Sequence, residues 1–440
     1  MIGLVLRSFA HHRVSVLATG LVAVVGTALV TAMAGLLGTG LAAGTAAGDR
    51  DFLVQFPLIL GGWVLAIVLF AMVSTIGVAL QGRAGEIAGI RLVGATPSQI
   101  RRMVAAETAV VAAIAVVPGL GGGYLLGAGL LAGIRGTGLV DDATGYLPSA
   151  ALPLLGAALM LGASVAAAWI GSRTIASRSP VEDAGAMRVR GRADRARRIA
   201  ATAVLVSGLA SSLTVLAIDP ADILTTALTG PGCVLVAVAL SLLAPESIRL
   251  AEYAFRRVPA LRAGAAGHLT VLNLAAAPER MRPAVTFLTL FVGVAAGTLS
   301  MQGIENQYGA EGGDGRLLAA VNYLVVVLIA AFMAIALSNN LIASLARRRT
   351  EFVSMHLIGA TVEQSRRMLV WEAAVAITVS AVAGCLGAFA GTVPFAIAKT
   401  GDPLAALAPL PYLLAIVGGA SITLGVTVLA GRRVIETAAA

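Results

Sequence analysis

Two related stretches of the chain determine its organisation. The first reads RAGEIAGIRLVGATPSQIRRMVAAE from Arg83 to Glu107, and the second reads RRTEFVSMHLIGATVEQSRRMLVWE from Arg348 to Glu372. Eleven of the 25 positions are identical without a gap, at a constant offset of 265 residues. Self-similarity at a fixed offset indicates an internal repeat. The sequence therefore predicts that one structural unit occurs twice.

Each copy of the repeat predicts a short helix that ends at a sharp corner. Three apolar residues of each short helix are spaced at i, i+3 and i+6, so they share one face that can lie against the membrane interface. They are Ile87, Ile90 and Val93 in the first copy and Phe352, Met355 and Ile358 in the second. Gly94 and Gly359 follow where a helix end often takes a positive φ, which glycine adopts at little steric cost.

A second helix is predicted to start directly after each corner. Thr96 and Gln99 in the first copy, and Thr361 and Gln364 in the second, form a Thr-x-x-Gln capping box. Such a box satisfies two backbone donors at the helix start, and Pro97 suits the first helical position. We therefore expect the angle between the two helices to be fixed.

Two alternatives remain for the shared acidic residues Glu86 and Glu351. Each lies three residues after a shared arginine, Arg83 or Arg348, and can form a weak surface pair with it. Each can instead dock onto a basic or amide-rich groove of a partner protein.

The composition places the chain in a membrane. Of its 440 residues, 58% are hydrophobic and 12% are charged, with a mean hydropathy of +0.92, whereas about a quarter of the residues are charged in a soluble domain. This excludes a soluble enzyme. The apolar runs are continuous and of helix length, which favours helical spans over a β-barrel.

The predicted fold is an all-α integral membrane protein of about ten transmembrane helices, and a count of eight is the alternative because the sixth and seventh runs are short. The runs lie near residues 14–37, 56–80, 104–131, 150–171, 200–218, 229–244, 284–300, 317–345, 369–398 and 410–430.

The basic residues predict the orientation of the chain. If the N-terminus is cytoplasmic, 27 of the 31 basic residues face the cytoplasm, which agrees with the positive-inside rule. Both termini are then cytoplasmic, and the first span is expected to remain as a permanent helix. The two repeat units have the same orientation and are therefore parallel.

We expect four-helix units at residues 1–180 and 265–440, joined by a basic linker and two further helices at 181–264. The excess of arginine over lysine, with abundant alanine and glycine, suggests a bacterial cell membrane.

Several kinds of chemistry find no support in the sequence. Cys233 and Cys385 lie in separate apolar runs, and the four histidines lack metal-ligand spacing. The nucleotide-binding pattern Gly-x4-Gly-Lys-Ser/Thr is absent, and the one lysine, Lys399, is predicted on the outer side. Residues 188–198 contain six arginines but no aromatic platforms, so we interpret them as a topology determinant that touches anionic lipid headgroups rather than as a nucleic-acid site. No catalytic, metal or cofactor site is predicted.

The pattern Arg-x2-Glu-x5-Leu-x-Gly-Ala-Thr-x2-Gln-x-Arg-Arg-Met, present twice between spans, resembles the FtsX-like permease domain of type VII ABC transporters. The fifth and sixth spans are similar to those of the ten-span subclass that includes bacitracin-resistance-type permeases. The resemblance implies that residues 83–103 and 348–368 are coupling helices. They would receive two copies of a separate ATP-binding subunit, which would hold ATP and Mg. The implied coupling residues are Arg83, Glu86, Gly94, Thr96, Gln99, Arg101, Arg102, Arg348, Glu351, Gly359, Thr361, Gln364, Arg366 and Arg367.

The predicted outer loops after the first and seventh spans are about 18 and 16 residues long, at 38–55 and 301–316. Loops of this length cannot fold into a domain with its own core. The substrate is therefore expected to arrive from the membrane, as a lipid, a lipopeptide or a hydrophobic antimicrobial compound, and no substrate-binding residue is predicted. One alternative is a mechanotransmitter that regulates a cell-envelope partner. Another is an ion-coupled transporter, which usually requires charges at mid-membrane. The sequence instead places Glu107 and Glu372 at the cytoplasmic starts of the third and ninth spans.

Overall fold

The computed structural model describes residues 13–82, 84–136, 138–176, 183–222, 224–255, 257, 267, 270, 272, 281–308, 313–346 and 348–439. These residues are 89% helical and contain no strand. The prediction of an all-α fold is confirmed. Arg83, one of the predicted coupling residues, lies outside the described residues.

The helices are numbered here in chain order. The first repeat comprises α1 (Arg13–Leu41), α2 (Ala47–Gly82), α3 (Ala84–Leu92), α4 (Pro97–Arg135) and α5 (Ala151–Ala176). Next come α6 (Asp183–Thr214), α7 (Leu224–Leu242) and α8 (Ala244–Phe255). The second repeat comprises α9 (Arg282–Tyr308), α10 (Gly313–Ala346), α11 (Arg349–Leu357), α12 (Val362–Thr400) and α13 (Pro409–Ala439). The short helices α3 and α11 both contain 9 residues, and the following helices α4 and α12 both contain 39.

Nine helices in the described part of the chain are long and apolar enough to cross a membrane. A tenth candidate is the second half of α10 together with α11, which are bent by 41° at a short break. The sixth and seventh apolar runs, on which a count of eight would depend, form α7 and α9, and both pass the same test. The protein is therefore a multi-pass membrane protein.

Two sequence-based boundaries need correction. The helix α6 starts at Asp183 and runs without a break through the basic stretch into the fifth span, because arginine and alanine are both strong helix formers. The loop that follows the first span is much shorter than predicted, since α1 continues to Leu41 and α2 already begins at Ala47.

The chain forms two compact units. One comprises residues 1–192 and 309–332, and the other comprises 193–308 and 333–440. In the first unit, α1 packs against α2, α4 and α5. In the second, the equivalent helix α9 packs against α7, α12 and α13.

Glycines allow close helix contacts in each unit. A Cβ added at Gly119 of α4 would lie 2.7 Å from the side chain of Thr27 in α1. At the equivalent Gly384 of α12, it would lie 2.9 Å from Val292 in α9. Small residues let membrane helices approach closely. Packing through a small residue is thus present at the same position of both repeats, and it holds α4 and α12 in place.

Candidate coupling site

The backbone at the two corners is nearly the same. Gly94 has φ of 104° and Gly359 has φ of 93°, so both glycines take the predicted positive φ. The amide of Ala95 donates to the carbonyl of Ile90 at 3.3 Å, and that of Ala360 donates to Met355 at 2.9 Å. No atom lies within 4 Å of a Cβ built at either glycine. Backbone conformation, rather than lack of space, therefore requires glycine at these corners.

The capping boxes form as predicted. The Thr96 amide donates to Gln99 Oε1 at 2.9 Å, and the Gln99 amide donates to Thr96 Oγ1 at 3.3 Å. In the second copy the same two bonds join Thr361 and Gln364 at 2.9 and 3.2 Å. With these donors satisfied, the starts of α4 and α12 are fixed relative to the corner.

Each corner presents a pair of exposed aliphatic side chains. In the first copy, Leu92 is 74% exposed and Val93 is 90% exposed. In the second copy, Leu357 is 79% exposed and Ile358 is 84% exposed. We call these pairs the first and second tips. Two large apolar side chains exposed in the same way at both corners are typical of an interaction site.

The apolar stripe of each short helix was predicted to lie on one face against the membrane interface. The structure corrects this prediction for the first residue of each stripe. Ile87 and Phe352 are buried inside the protein, whereas the last residues of the stripes, Val93 and Ile358, are exposed at the tips. The stripe divides because the start of each short helix packs against its own unit while its end projects away. Phe352 belongs to a core cluster with Leu345, Met368, Leu369 and Ile435, against which Met355 also packs.

A cluster of three charged side chains lies at the start of α11. Arg348 Nε is 3.1 Å from Glu351 Oε2, so the local pair, one of the two alternatives for Glu351, forms in the second copy. The Arg348 guanidinium also donates two hydrogen bonds to Glu372 of α12, one of them from Nη2 to Oε1 at 3.2 Å. Its carbon lies 5.3 Å from the centre of the Phe352 ring.

The role of Glu372 was not predicted from the sequence. Glu107 and Glu372 were predicted at the starts of spans, and the structure shows that both side chains are buried within α4 and α12. The sequence did contain an indication of this role. The glutamate is the last identical position of the repeat, and a buried carboxylate in a membrane helix has a high energetic cost.

The remaining predicted coupling residues divide into two groups. The Arg101 guanidinium carbon lies 5.1 Å from the centre of the Trp169 ring, so Arg101 joins α4 to α5. Arg367 Nε pairs with Glu363 at 2.8 Å on the surface of α12. Three arginines are exposed near the starts of α4 and α12, namely Arg102, Arg366 and Arg367, and Glu86 is also exposed. These side chains can contact a partner, whereas Arg101 and Arg348 are engaged within their own units.

A second charge cluster changes the interpretation of the basic stretch. Arg197 in α6 donates to Glu246 in α8 at 2.7 and 2.8 Å, and Arg198 donates to the same carboxylate at 2.8 Å. Burial raises the pKa of Glu246, but the hydrogen bonds from Arg197 and Arg198 outweigh it and lower this pKa to about 2. Part of the stretch predicted to face lipid headgroups therefore joins two helices.

The C-terminal end of α12 carries an ion pair whose lysine side chain is 3% exposed and whose glutamate side chain is 35% exposed. Lys399 of α12 lies 3.2 Å from Glu305 of α9 and is almost fully buried. Among the residues that the structure describes, no group of three or more His, Cys, Asp or Glu side chains is placed to hold a metal ion.

Comparison with known proteins identifies the repeated unit. The family model described as FtsX-like permease C-terminal matches residues 58–180 and 323–439. Each matched segment contains one short helix, its corner and its tip. No curated protein matches the chain.

Proposed function

The chain belongs to the FtsX-like permease family, and on this basis we propose that it is the membrane subunit of an ATP-driven type VII ABC transporter. Membership of this family supports an ABC-type permease role, and such permeases work with an ATP-binding partner. The observation that carries the proposal is the duplicated tip. Leu92 with Val93, and Leu357 with Ile358, are exposed next to capped, glycine-dependent corners.

A rigid corner with an apolar tip suits the transmission of movement. ATP-binding subunits change their separation when they bind and hydrolyse ATP, and a tip seated in such a subunit follows that change. The capping boxes keep the angle between the short helix and the following span helix fixed. We therefore assign α3 and α11 as coupling helices, each docked to one ATP-binding subunit, with both chain termini in the cytoplasm.

The substrate is proposed to be hydrophobic or amphiphilic and to enter from the membrane. The support is the first outer loop, where only five residues separate α1 from α2. This leaves no room between α1 and α2 for a folded domain that could bind a soluble substrate. A lipid, a lipopeptide or an antimicrobial compound fits this route.

The proposal is tested by placing charge on the tips. We expect Val93→Asp combined with Ile358→Asp to abolish co-purification of the co-expressed ATP-binding subunit, because an apolar contact would be replaced by two buried charges. Thr350→Asp is the matched control, since Thr350 is exposed on the same helix α11 but lies about two turns before the tip residue Leu357. If the double tip variant retains the ATP-binding subunit at the wild-type ratio, the tips are not the docking sites.

A further inference from the structure

The charge cluster of Arg348, Glu351 and Glu372 connects the coupling helix to a span helix. Arg348 lies directly before α11, and Glu372 is the eleventh residue of α12. The guanidinium thus bridges two helices that the corner separates along the chain. The exposed tip lies at the opposite end of α11, so the cluster and the docking surface are different parts of the same helix. We call the end of α11 that holds the cluster its root.

The cluster is well shielded from solvent. The side chain of Arg348 is 12% exposed and that of Glu372 is 8% exposed. Removal of one partner from a buried ion pair leaves an uncompensated charge and is strongly destabilising. A comparable pair on the surface contributes little, and Arg367 with Glu363 is such a pair, because these side chains are 69% and 60% exposed.

Apolar packing fixes the root in the same place. Phe352 lies beneath the Arg348 guanidinium and packs with Met368 and Leu369 of α12 and with Ile435 of α13. The neighbouring Arg349 donates to the carbonyl of Thr437 in α13 at 3.2 Å. The root of α11 is therefore attached to α12 by the ion pair and by packing. It is attached to α13 by packing and by a hydrogen bond.

The first repeat keeps the same carboxylate. Glu107 occupies the position in α4 that Glu372 occupies in α12, and it is also buried. Burial of this residue in both copies indicates that the carboxylate belongs to the corner rather than to one unit alone.

We propose that Arg348 and Glu372 are positioning residues that lock the root of the second coupling helix to α12, so that movement of the tip is passed to α12 and α13 together. This inference rests on the proposed function, in which an ATP-binding subunit moves the tip. A root held only by the corner would let α11 swing against α12, and movement at the tip would be lost there. The ion pair removes that freedom.

The experiment measures the freedom of α11 directly. Cys233 and Cys385 are replaced by alanine, and nitroxide labels are attached at the exposed positions Ser354 in α11 and Thr378 in α12. Double electron–electron resonance on the permease alone, in lipid nanodiscs, then gives the distribution of distances between the labels. We expect one narrow distribution for the unmodified pair and for Arg367→Ala, which breaks only the surface pair.

Variants of the cluster should give the opposite result. Arg348→Ala and Glu372→Gln should each broaden the distribution several-fold, and the exchanged pair Arg348→Glu with Glu372→Arg should narrow it again. A narrow distribution in Arg348→Ala, or an exchanged pair as broad as the single variants, overturns the proposal. If Arg348→Ala does not accumulate in the membrane, the exchanged pair decides: recovered accumulation supports the lock, and no recovery overturns it.

A second measurement separates this inference from the proposed function. With the co-expressed ATP-binding subunit, Glu372→Gln should co-purify that subunit at the wild-type ratio, because the tip is intact. The change that the permease causes in the ATPase rate should be lost. Loss of co-purification in Glu372→Gln contradicts a role separate from docking. Absence of co-purification in the wild type contradicts the proposed function but leaves the distance test valid.

Discussion

Replacement of Gly94 by alanine isolates the backbone requirement at the first corner. The added methyl group has space, since no atom lies within 4 Å of a Cβ built there, and only the φ of 104° opposes it. The left-handed conformation costs a residue with a Cβ about 1–2 kcal/mol. Since about 1.4 kcal/mol is a tenfold change in an equilibrium constant, opening of the corner should increase about 5- to 30-fold.

Gly89 provides the matched control. It lies in α3 five residues earlier, does not take a positive φ, and has no atom within 4 Å of a built Cβ. Alanine at this position should stabilise the helix by about 0.5–1 kcal/mol. Hydrogen–deuterium exchange of the amides from residue 84 to residue 104 should therefore become faster in Gly94→Ala and slower in Gly89→Ala. Slower exchange in both variants would refute the reasoning, because it would show that the corner does not require glycine.

Two further perturbations test the packing and the charges. Phe352→Ala should reduce the free energy of unfolding by about 3–5 kcal/mol, because it leaves a cavity at a buried site. Ile358→Ala at the exposed tip should change this free energy little. Thermal unfolding in detergent compares the two variants, and equal losses of stability would contradict the assigned burial. Glu246 contributes stability that is present above its unfolded pKa of 4.5 and is lost as the pH falls through its folded pKa of about 2. Glu246→Gln should therefore flatten the dependence of the unfolding temperature on pH below 4.5, and an unchanged dependence would contradict the link between α6 and α8.

The corner could be predicted from the sequence because its determinants are local. A positive φ at Gly94 and Gly359, and the capping boxes that follow, involve residues within three positions of one another. Residue type and spacing are sufficient for such features. The all-α membrane fold was equally accessible, since the length and continuity of apolar runs determine it.

The charge cluster could not be predicted in full because it depends on tertiary packing. Glu372 is 24 residues from Arg348, and their contact exists only because Phe352 packs on α12 and α13. The same packing decides which residues of the apolar stripe are buried, so the membrane-facing interpretation of Phe352 was wrong. The density of charge in the basic stretch predicts a linker, but α6 runs through it because arginine is a good helix former.

The stoichiometry of the assembly tests the central claim most directly. Each chain carries two tips of the same design, Leu92 with Val93 and Leu357 with Ile358. Native mass spectrometry of the co-expressed complex, released from detergent micelles or nanodiscs, should therefore show two ATP-binding subunits for one copy of this chain. A stable complex with a single ATP-binding subunit, or with two copies of this chain for each pair of ATP-binding subunits, would contradict the account.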